Sequence, residues 1–379
     1  MDIVIYGAGM TGKYIAQSLY PNKNGSHIRI MAWIENNYHK DSLFEAPMFS
    51  ESEFFDAYRD ISKEVIFIIA IKHIYLAQTK AISLMNKGFK NVFIPIPELT
   101  YAELPVVEND GLSEYLKRVP DSKPILPYLE FQVADKCNLK CNACMHFSNL
   151  IETDSFADYE EFDESLKRLS HLFYSIDCFR LMGGEPLLNP DLDKFARLAR
   201  KRFPLANIKI ATNGLLIPKT SDFLIKTMRD YNIEFDITQY PPTTKIINKI
   251  IGILRENRIK YTLYPPIKSF LIRMSMGETD HNEVFYNGCL SKTCTFLRSN
   301  KIFVCPHIPM LYECRDYFGF DISMDEFRKN CIELDNEEID GWDILERINS
   351  PFTMCRFCSP NSKTVDWTNV VPKREDWIV

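Results

Sequence analysis

Short apolar runs alternate with amphipathic stretches along most of the chain. Ile3–Tyr6 is an apolar run of strand length, Thr11–Tyr20 carries a helical period, and His27–Ile34 is a second strand. Val65–Ala70 is continuously apolar, as in a parallel strand covered on both faces, and Asn91–Ile96 predicts a further strand. This is the pattern of a doubly wound parallel sheet over residues 1–100. A mixed segment with Pro105 and Pro120, residues 101–124, predicts a linker.

A second alternating series follows, and residues 125–285 predict one domain. Strands are expected at Tyr128–Ala134, Cys178–Met182, Ile208–Thr212, Glu234–Thr238 and Tyr261–Tyr264. Helices are expected at Asp158–Phe173, Leu192–Arg202, Ser221–Tyr231 and Thr244–Glu256. Repeated strand–helix units fit a full or partial α/β barrel, whose reactive end is the C-terminal edge of the strands. Periodicity weakens afterwards while cysteines become frequent, so residues 286–379 predict a small cysteine-rich extension organised by a metal.

Hydrophobic residues make up 46% of the 379 and charged residues 25%, which fits a globular protein. The net charge of −6 lacks the basic surplus of a nucleic-acid binder. Arg197, Arg200, Lys201 and Arg202 read as a solvated helix end that complements the dipole. No apolar run approaches the roughly 20 residues that span a bilayer. The acidic start Met1-Asp2-Ile3 is unlike a secretory signal, so no membrane association and a cytoplasmic location are expected. There the eleven cysteines are thiols or metal ligands rather than disulfides.

Cys137, Cys141 and Cys144 form a C-x3-C-x2-C loop just after a predicted strand. Three soft ligands on one loop suit three corners of a [4Fe–4S] cube and leave one iron open. Zinc, with His146 as a fourth ligand, is the alternative. One strand–helix unit later stands Gly183-Gly184-Glu185-Pro186 at a strand end. Its glycines permit close backbone approach to a ligand, and Glu185 supplies a carboxylate.

With these two motifs, residues 125–264 resemble the radical S-adenosylmethionine (radical SAM) superfamily. The resemblance implies a partial (β/α)6 barrel of the TIM type. In it Cys137, Cys141 and Cys144 hold the cluster, whose open iron chelates SAM, and Gly183, Gly184 and Glu185 contact the SAM amino group. Thr212, Asn213 and Gly214 match positions that approach SAM, and Thr238 and Tyr240 are candidate ribose or adenine contacts. Ala143 stands where the family often has an aromatic residue before the third cysteine. The implied chemistry is cleavage of SAM to a 5′-deoxyadenosyl radical that abstracts hydrogen. A small-molecule substrate and a reducing partner such as flavodoxin or ferredoxin are implied.

Cys289, Cys294, Cys305, Cys355 and Cys358 resemble the ligands of a twitch or SPASM-type extension carrying an auxiliary iron–sulfur cluster. Five candidates serve four positions: Cys289 and Cys294 compete for one role, or both bind and another does not, and structural zinc is the rival metal. Cys178 and Cys331 read as small packed residues, and Cys314 is unassigned. Asn300 stands where the family's turn often has glycine, and Asn tolerates φ > 0.

Gly7-Ala8-Gly9-Met10-Thr11-Gly12 is a G-x-G-x-x-G motif between a strand and a helix, with Glu35 ending the next strand. Gly7, Gly9 and Gly12 predict a Rossmann-like loop for a nucleotide or nucleotide-sugar, with Glu35 on a ribose. The bland alternative is a docking domain with a vestigial loop. The N-terminal domain looks similar to those of sugar-modifying enzymes. It favours dehydrogenation or epimerisation of a sugar, polyol or nucleotide-sugar. Modification of a ribosomally made peptide and a non-catalytic electron-transfer or scaffold role are the alternatives.

Overall fold

Apolar strand runs in the first third of the chain pair side by side in a computed structural model. It describes residues 2–19, 29–36, 42–71, 73–95, 116–119, 123–275, 286, 288–289, 291–369, 371 and 373–379. The chain divides into two units, Met1–Ile125 and Leu126–Val379.

In the first unit the elements are β1 (Asp2–Tyr6), α1 (Met10–Leu19), β2 (Arg29–Ile34), β3 (Ser42–Leu43), β4 (Ala46–Phe49) and α2 (Glu51–Ala57). They continue with β5 (Ile66–Ile69), α3 (Ile74–Asn86), β6 (Asn91–Pro95) and β7 (Leu116–Val119). The sheet order is β3-β4-β2-β1-β5-β6-β7. Its inner pairs are parallel, and β3 and β7 close the edges antiparallel. The strand order reverses at β1, so the glycine loop after β1 lies at the topological switch point. Ile3, Ile5, Ile15, Trp33 and Ile68 fill the core. His27, Ile28 and Ile96 of the expected strands lie outside the described residues, as do 101–115 and 120–122 of the expected linker. Residues 116–119 extend the sheet as β7.

The second unit runs β8 (Ile125–Ala134), α4 (Tyr159–Leu172), β9 (Ser175–Gly183), α5 (Leu192–Arg202), β10 (Asn207–Thr212), α6 (Asp222–Asp230) and β11 (Glu234–Ile237). Then come α7 (Pro241–Thr244), α8 (Ile247–Glu256), β12 (Tyr261–Leu263) and β13 (Ser269–Met274). Helix α4 starts where the Asp158 side chain accepts from the Glu161 N–H, and it buries Phe162, Leu166 and Leu169 at helical spacing. Each such side chain contributes roughly 1.5–3 kcal/mol. The expected helix Thr244–Glu256 is two pieces. Pro241 and Pro242 start α7, and α8 begins after Ile246.

The cysteine-rich remainder contributes β14 (Phe296–Arg298), β15 (Lys301–Phe303), α9 (His307–Phe318), α10 (Met324–Lys329), β16 (Ile332–Glu333), α11 (Gly341–Ile348) and β17 (Cys358–Asp366). Strand β14 joins β8 in parallel, giving the row β12-β11-β10-β9-β8-β14-β15-β16, which stays open among the described residues. The architecture is mixed α/β with a partial barrel wall. Ser299 and Asn300 both take positive φ in the two-residue turn from β14 to β15, as the Asn300 reading requires.

Candidate functional site

Strand β8 ends at Ala134 and delivers the cysteine loop. The Cys137 sulfur accepts the Leu139 N–H at 3.4 Å and the Asn213 side-chain amide at 3.8 Å. The Cys141 sulfur accepts the Trp367 indole N–H at 3.0 Å. Ala143 and Phe147 adopt left-handed backbone, so the chain curls tightly around Cys144. Burial pushes the Cys141 thiol up to about 12 and the Cys137 and Cys144 thiols up as well. Thiols so disfavoured as free thiolates are deprotonated when a metal centre coordinates them. Among the described residues no three His, Cys, Asp or Glu side chains are close enough to hold one metal ion. His146, the alternative fourth ligand, is half-buried in the cavity lining, with its pKa lowered to about 4 by desolvation; its Nδ1 lies 2.9 Å from the Gln132 side-chain oxygen.

The glycines after β9 serve the protein itself. The Gly184 N–H donates to the Ala134 carbonyl at 2.8 Å, and the Glu185 N–H to the Lys136 carbonyl at 3.0 Å. A Cβ at Gly183 would stand 2.1 Å from the Ala134 oxygen, and one at Gly184 would stand 2.2 Å from the Lys136 oxygen. Only glycine lets this strand end press against the root of the cysteine loop. Glu185 is fully buried behind that contact. One oxygen accepts from the Thr212 hydroxyl at 2.6 Å and the Leu187 N–H at 3.1 Å, and the other from the Asn213 N–H at 3.0 Å. Burial raises its pKa to about 7. Its carboxylate thus fastens the end of β10 and does not line the cavity described next.

A cavity of about 500 Å³ opens at the C-terminal ends of these strands. Of the residues singled out in the sequence, Cys137, Cys141, Cys144, Gly183, Gly184, Thr212, Asn213, Thr238 and Tyr240 line it. Tyr240 sits with its ring 6.2 Å from those of both Phe270 and Trp367, which makes an aromatic wall. Arg180, also in the lining, is held by Asp236, Tyr128 and Tyr264.

Cys289, Cys305, Cys355 and Cys358 surround a second, apolar space with Met274, His307 and Met354. Cys294 does not line it and lies near Glu130, Arg180 and Cys289, with its thiol pushed up to about 12 by burial. Of the two competing cysteines, Cys289 lines this space and Cys294 does not. These four partly exposed thiols in an apolar shell are of the residue type that holds an iron–sulfur cluster. Cys314 is buried in the core, whereas Cys178 and Cys331 are partly exposed.

In the first unit Gly7 has φ +103°, and a Cβ at Gly12 would meet the Gly7 oxygen at 2.0 Å. Gly9 has open space around it. The Glu35 carboxylate accepts the Ala8 N–H at 3.0 Å, which joins motif and acid in one loop.

The sequence reading missed the strap over the cysteine loop. Besides the Trp367 bond, the Asn142 side chain bonds the backbone of Asp366 and Thr368 at 2.9 and 2.8 Å, and the Trp377 indole donates to the Cys144 carbonyl at 3.0 Å. Two tryptophans in a polar C-terminal stretch were the available signal.

Residues 131–262 match the family described as Radical SAM superfamily. A GTP 3′,8-cyclase of Clostridium acetobutylicum is 31% identical over 125 residues, which covers 32% of this chain and 39% of that protein. Molybdenum cofactor biosynthesis protein 1 of Dictyostelium discoideum is 30% identical over 176 residues, covering 44% of this chain and 26% of its own. The chain thus spans well under half the length of these relatives. Among solved structures, BtrN in complex with AdoMet and 2-DOIA aligns with a TM-score of 0.40 at 18% identity, over 63% of this chain and 95% of its own.

Proposed function

We propose, for a chain that carries a radical SAM domain across residues 131–262, that it cleaves SAM reductively and takes a hydrogen atom from a small-molecule substrate. The substrate class is a sugar, polyol or nucleotide-sugar, and the outcome is dehydrogenation or epimerisation. The observation that carries this reading is the opening of all three loop cysteines onto one cavity shared with Gly183, Gly184, Thr212, Asn213 and Thr238. Its volume of about 500 Å³ lies within the usual small-molecule range of about 300–1,000 Å³.

With a [4Fe–4S] cluster on Cys137, Cys141 and Cys144, bound SAM supplies a carbon radical through one-electron cleavage of its S–C5′ bond. The chain's own residues do the positioning. The Gly183–Gly184 backbone edge and the Asn213 amide orient a polar ligand beside the sulfurs, and Tyr240 offers an aromatic face. Trp367 shields Cys141 and donates to its sulfur. Cys289, Cys305, Cys355 and Cys358 form the auxiliary set, an electron acceptor for a dehydrogenation. Relatives named GTP 3′,8-cyclase act on a nucleotide, which supports including nucleotide-bearing substrates. The Gly7–Gly12 loop with Glu35 is a second place for such a group. A flavodoxin or ferredoxin in the cytoplasm would deliver the electron. Among the described residues no helix is long and apolar enough to cross a membrane.

The test is anaerobic reconstitution followed by SAM and dithionite. Release of 5′-deoxyadenosine is expected, with deuterium transfer from labelled sugars or nucleotide-sugars naming the hydrogen donor. Protein that holds iron yet leaves SAM intact under dithionite would sink this reading.

A further inference from the structure

Strand β13 forms one wall of the cavity through Ser269, Phe270, Leu271 and Arg273. Its pairing with β17 is regular from Ser269 to Ile272 and then jumps, so that Ile272 faces Lys363 but Met274 faces Cys358. Arg273 stands at this break. Such irregularities re-aim the side chain they contain. Its neighbours Ile272 and Met274 are each 2% exposed and anchor the strand to the core on the other face. Met274 and Ser275 are then tied to the Trp377 and Phe357 carbonyls. Arg273 is thus held on a fixed backbone and lines the cavity.

The charge balance of this cavity is unusual. Among the described residues the lining contains two arginines and no carboxylate. Arg180 is neutralised by Asp236, which it meets through two of its nitrogens. Arg273 has no hydrogen bond or ion pair among the described residues, where the other half-buried arginines of this unit are matched to carboxylates or carbonyls. In the oxidised resting state the site's cofactors offer no net counter-charge. A [4Fe–4S]2+ core on three thiolates carries a single negative charge, and SAM a net single positive one, so together they cancel. A guanidinium in a half-enclosed site without an anion forfeits strong charge-assisted hydrogen bonds, and its fork matches a carboxylate or phosphate.

We infer that Arg273 anchors an anionic group, carboxylate or phosphate, on the molecule that enters the cavity beside SAM. This rests on the function proposed above and narrows it: an uncharged sugar or polyol leaves Arg273 unmatched, whereas a sugar acid, sugar phosphate or nucleotide-sugar does not. Two other anions could claim the guanidinium. One is the carboxylate of SAM. The other is the auxiliary cluster, because Arg273 is close enough to Cys358 to favour its thiolate.

The experiment uses full-length, anaerobically reconstituted protein saturated with SAM. Inorganic phosphate, and separately acetate, is titrated by calorimetry into the wild type, R273K and R273Q. Phosphate affinity should fall about tenfold or more in R273Q, as loss of a charge-assisted bond predicts, and R273K should retain most of it. SAM affinity and the electron paramagnetic resonance signals of both clusters should stay the same in all three proteins. Phosphate bound elsewhere, including at the glycine loop, contributes equally to each protein, so only the difference counts. Equal phosphate binding by wild type and R273Q, including none by either, overturns the inference. So does a matching loss of SAM affinity, which would assign Arg273 to SAM, or a shifted auxiliary-cluster signal with anion binding unchanged. None of these readouts needs turnover, so failure of SAM cleavage would count against the proposed function and not against Arg273.

Discussion

Glu130 is 4% exposed and accepts a hydrogen bond from the Tyr128 hydroxyl at 2.5 Å, with Arg180 nearby. Burial outweighs both partners and raises its pKa to about 7. The folded chain therefore keeps a proton that the unfolded chain releases near pH 4.3. The resulting stabilisation is complete below that value and is lost as pH rises through about 7, a window worth up to roughly 3 kcal/mol. The melting midpoint of E130Q should gain on the wild type as pH rises from about 5 to about 8. Parallel profiles would contradict the assigned shift. At the auxiliary set, C289A should lose one cluster's worth of iron by colorimetric assay, and C294A should keep it. Equal losses would return Cys294 to the ligand set. These residue-scale assignments differ in legibility. The C-x3-C-x2-C spacing is local and could be read directly, but five cysteines spread from Cys289 to Cys358 left the fourth ligand open. Likewise Arg200, read as solvated, donates to the carbonyls of Tyr231, Pro204, Ala206 and Asn232, partners that no helical period reveals.

At the scale of elements, the end of β9 and the cysteine loop behave as one piece. The Gly184 and Glu185 amides bond to Ala134 and Lys136, and a methyl group at Gly184 would meet backbone that cannot give way. G184A should destabilise the protein by about 1–3 kcal/mol through overpacking and lower the iron retained on the loop. Urea denaturation and iron counting would check both, and an unchanged midpoint would show that the loop can shift. The motif was legible because it is contiguous and follows a strand. Its immediate role was not, since the sequence does not say whether glycine admits a ligand or the chain's own backbone. Helices α4, α5 and α6 followed their apolar periods, whereas the paired prolines at 241 and 242 set the start of α7.

For the whole molecule, every cavity-lining residue lies between Cys137 and Ser291, in the unit Leu126–Val379. A fragment of residues 126–379 should therefore keep dithionite-dependent SAM cleavage within about tenfold of the full chain, a difference of about 1.4 kcal/mol in barrier. A much larger loss of 5′-deoxyadenosine would mean that residues 1–125 complete the site. By itself the sequence determined the mixed α/β class, the alternation of strands and helices, and the two cysteine sets, because periodicity and ligand spacing act over a few neighbouring residues. Tertiary structure decided which distant groups meet. It turned Glu185 inward onto Thr212 and Asn213, laid Trp367 and Trp377 over the cysteine loop, placed Cys289 but not Cys294 on the second apolar space, and left Arg273 in the cavity wall with no partner among the described residues. Those outcomes depend on the path of the chain through space, which local pattern does not encode.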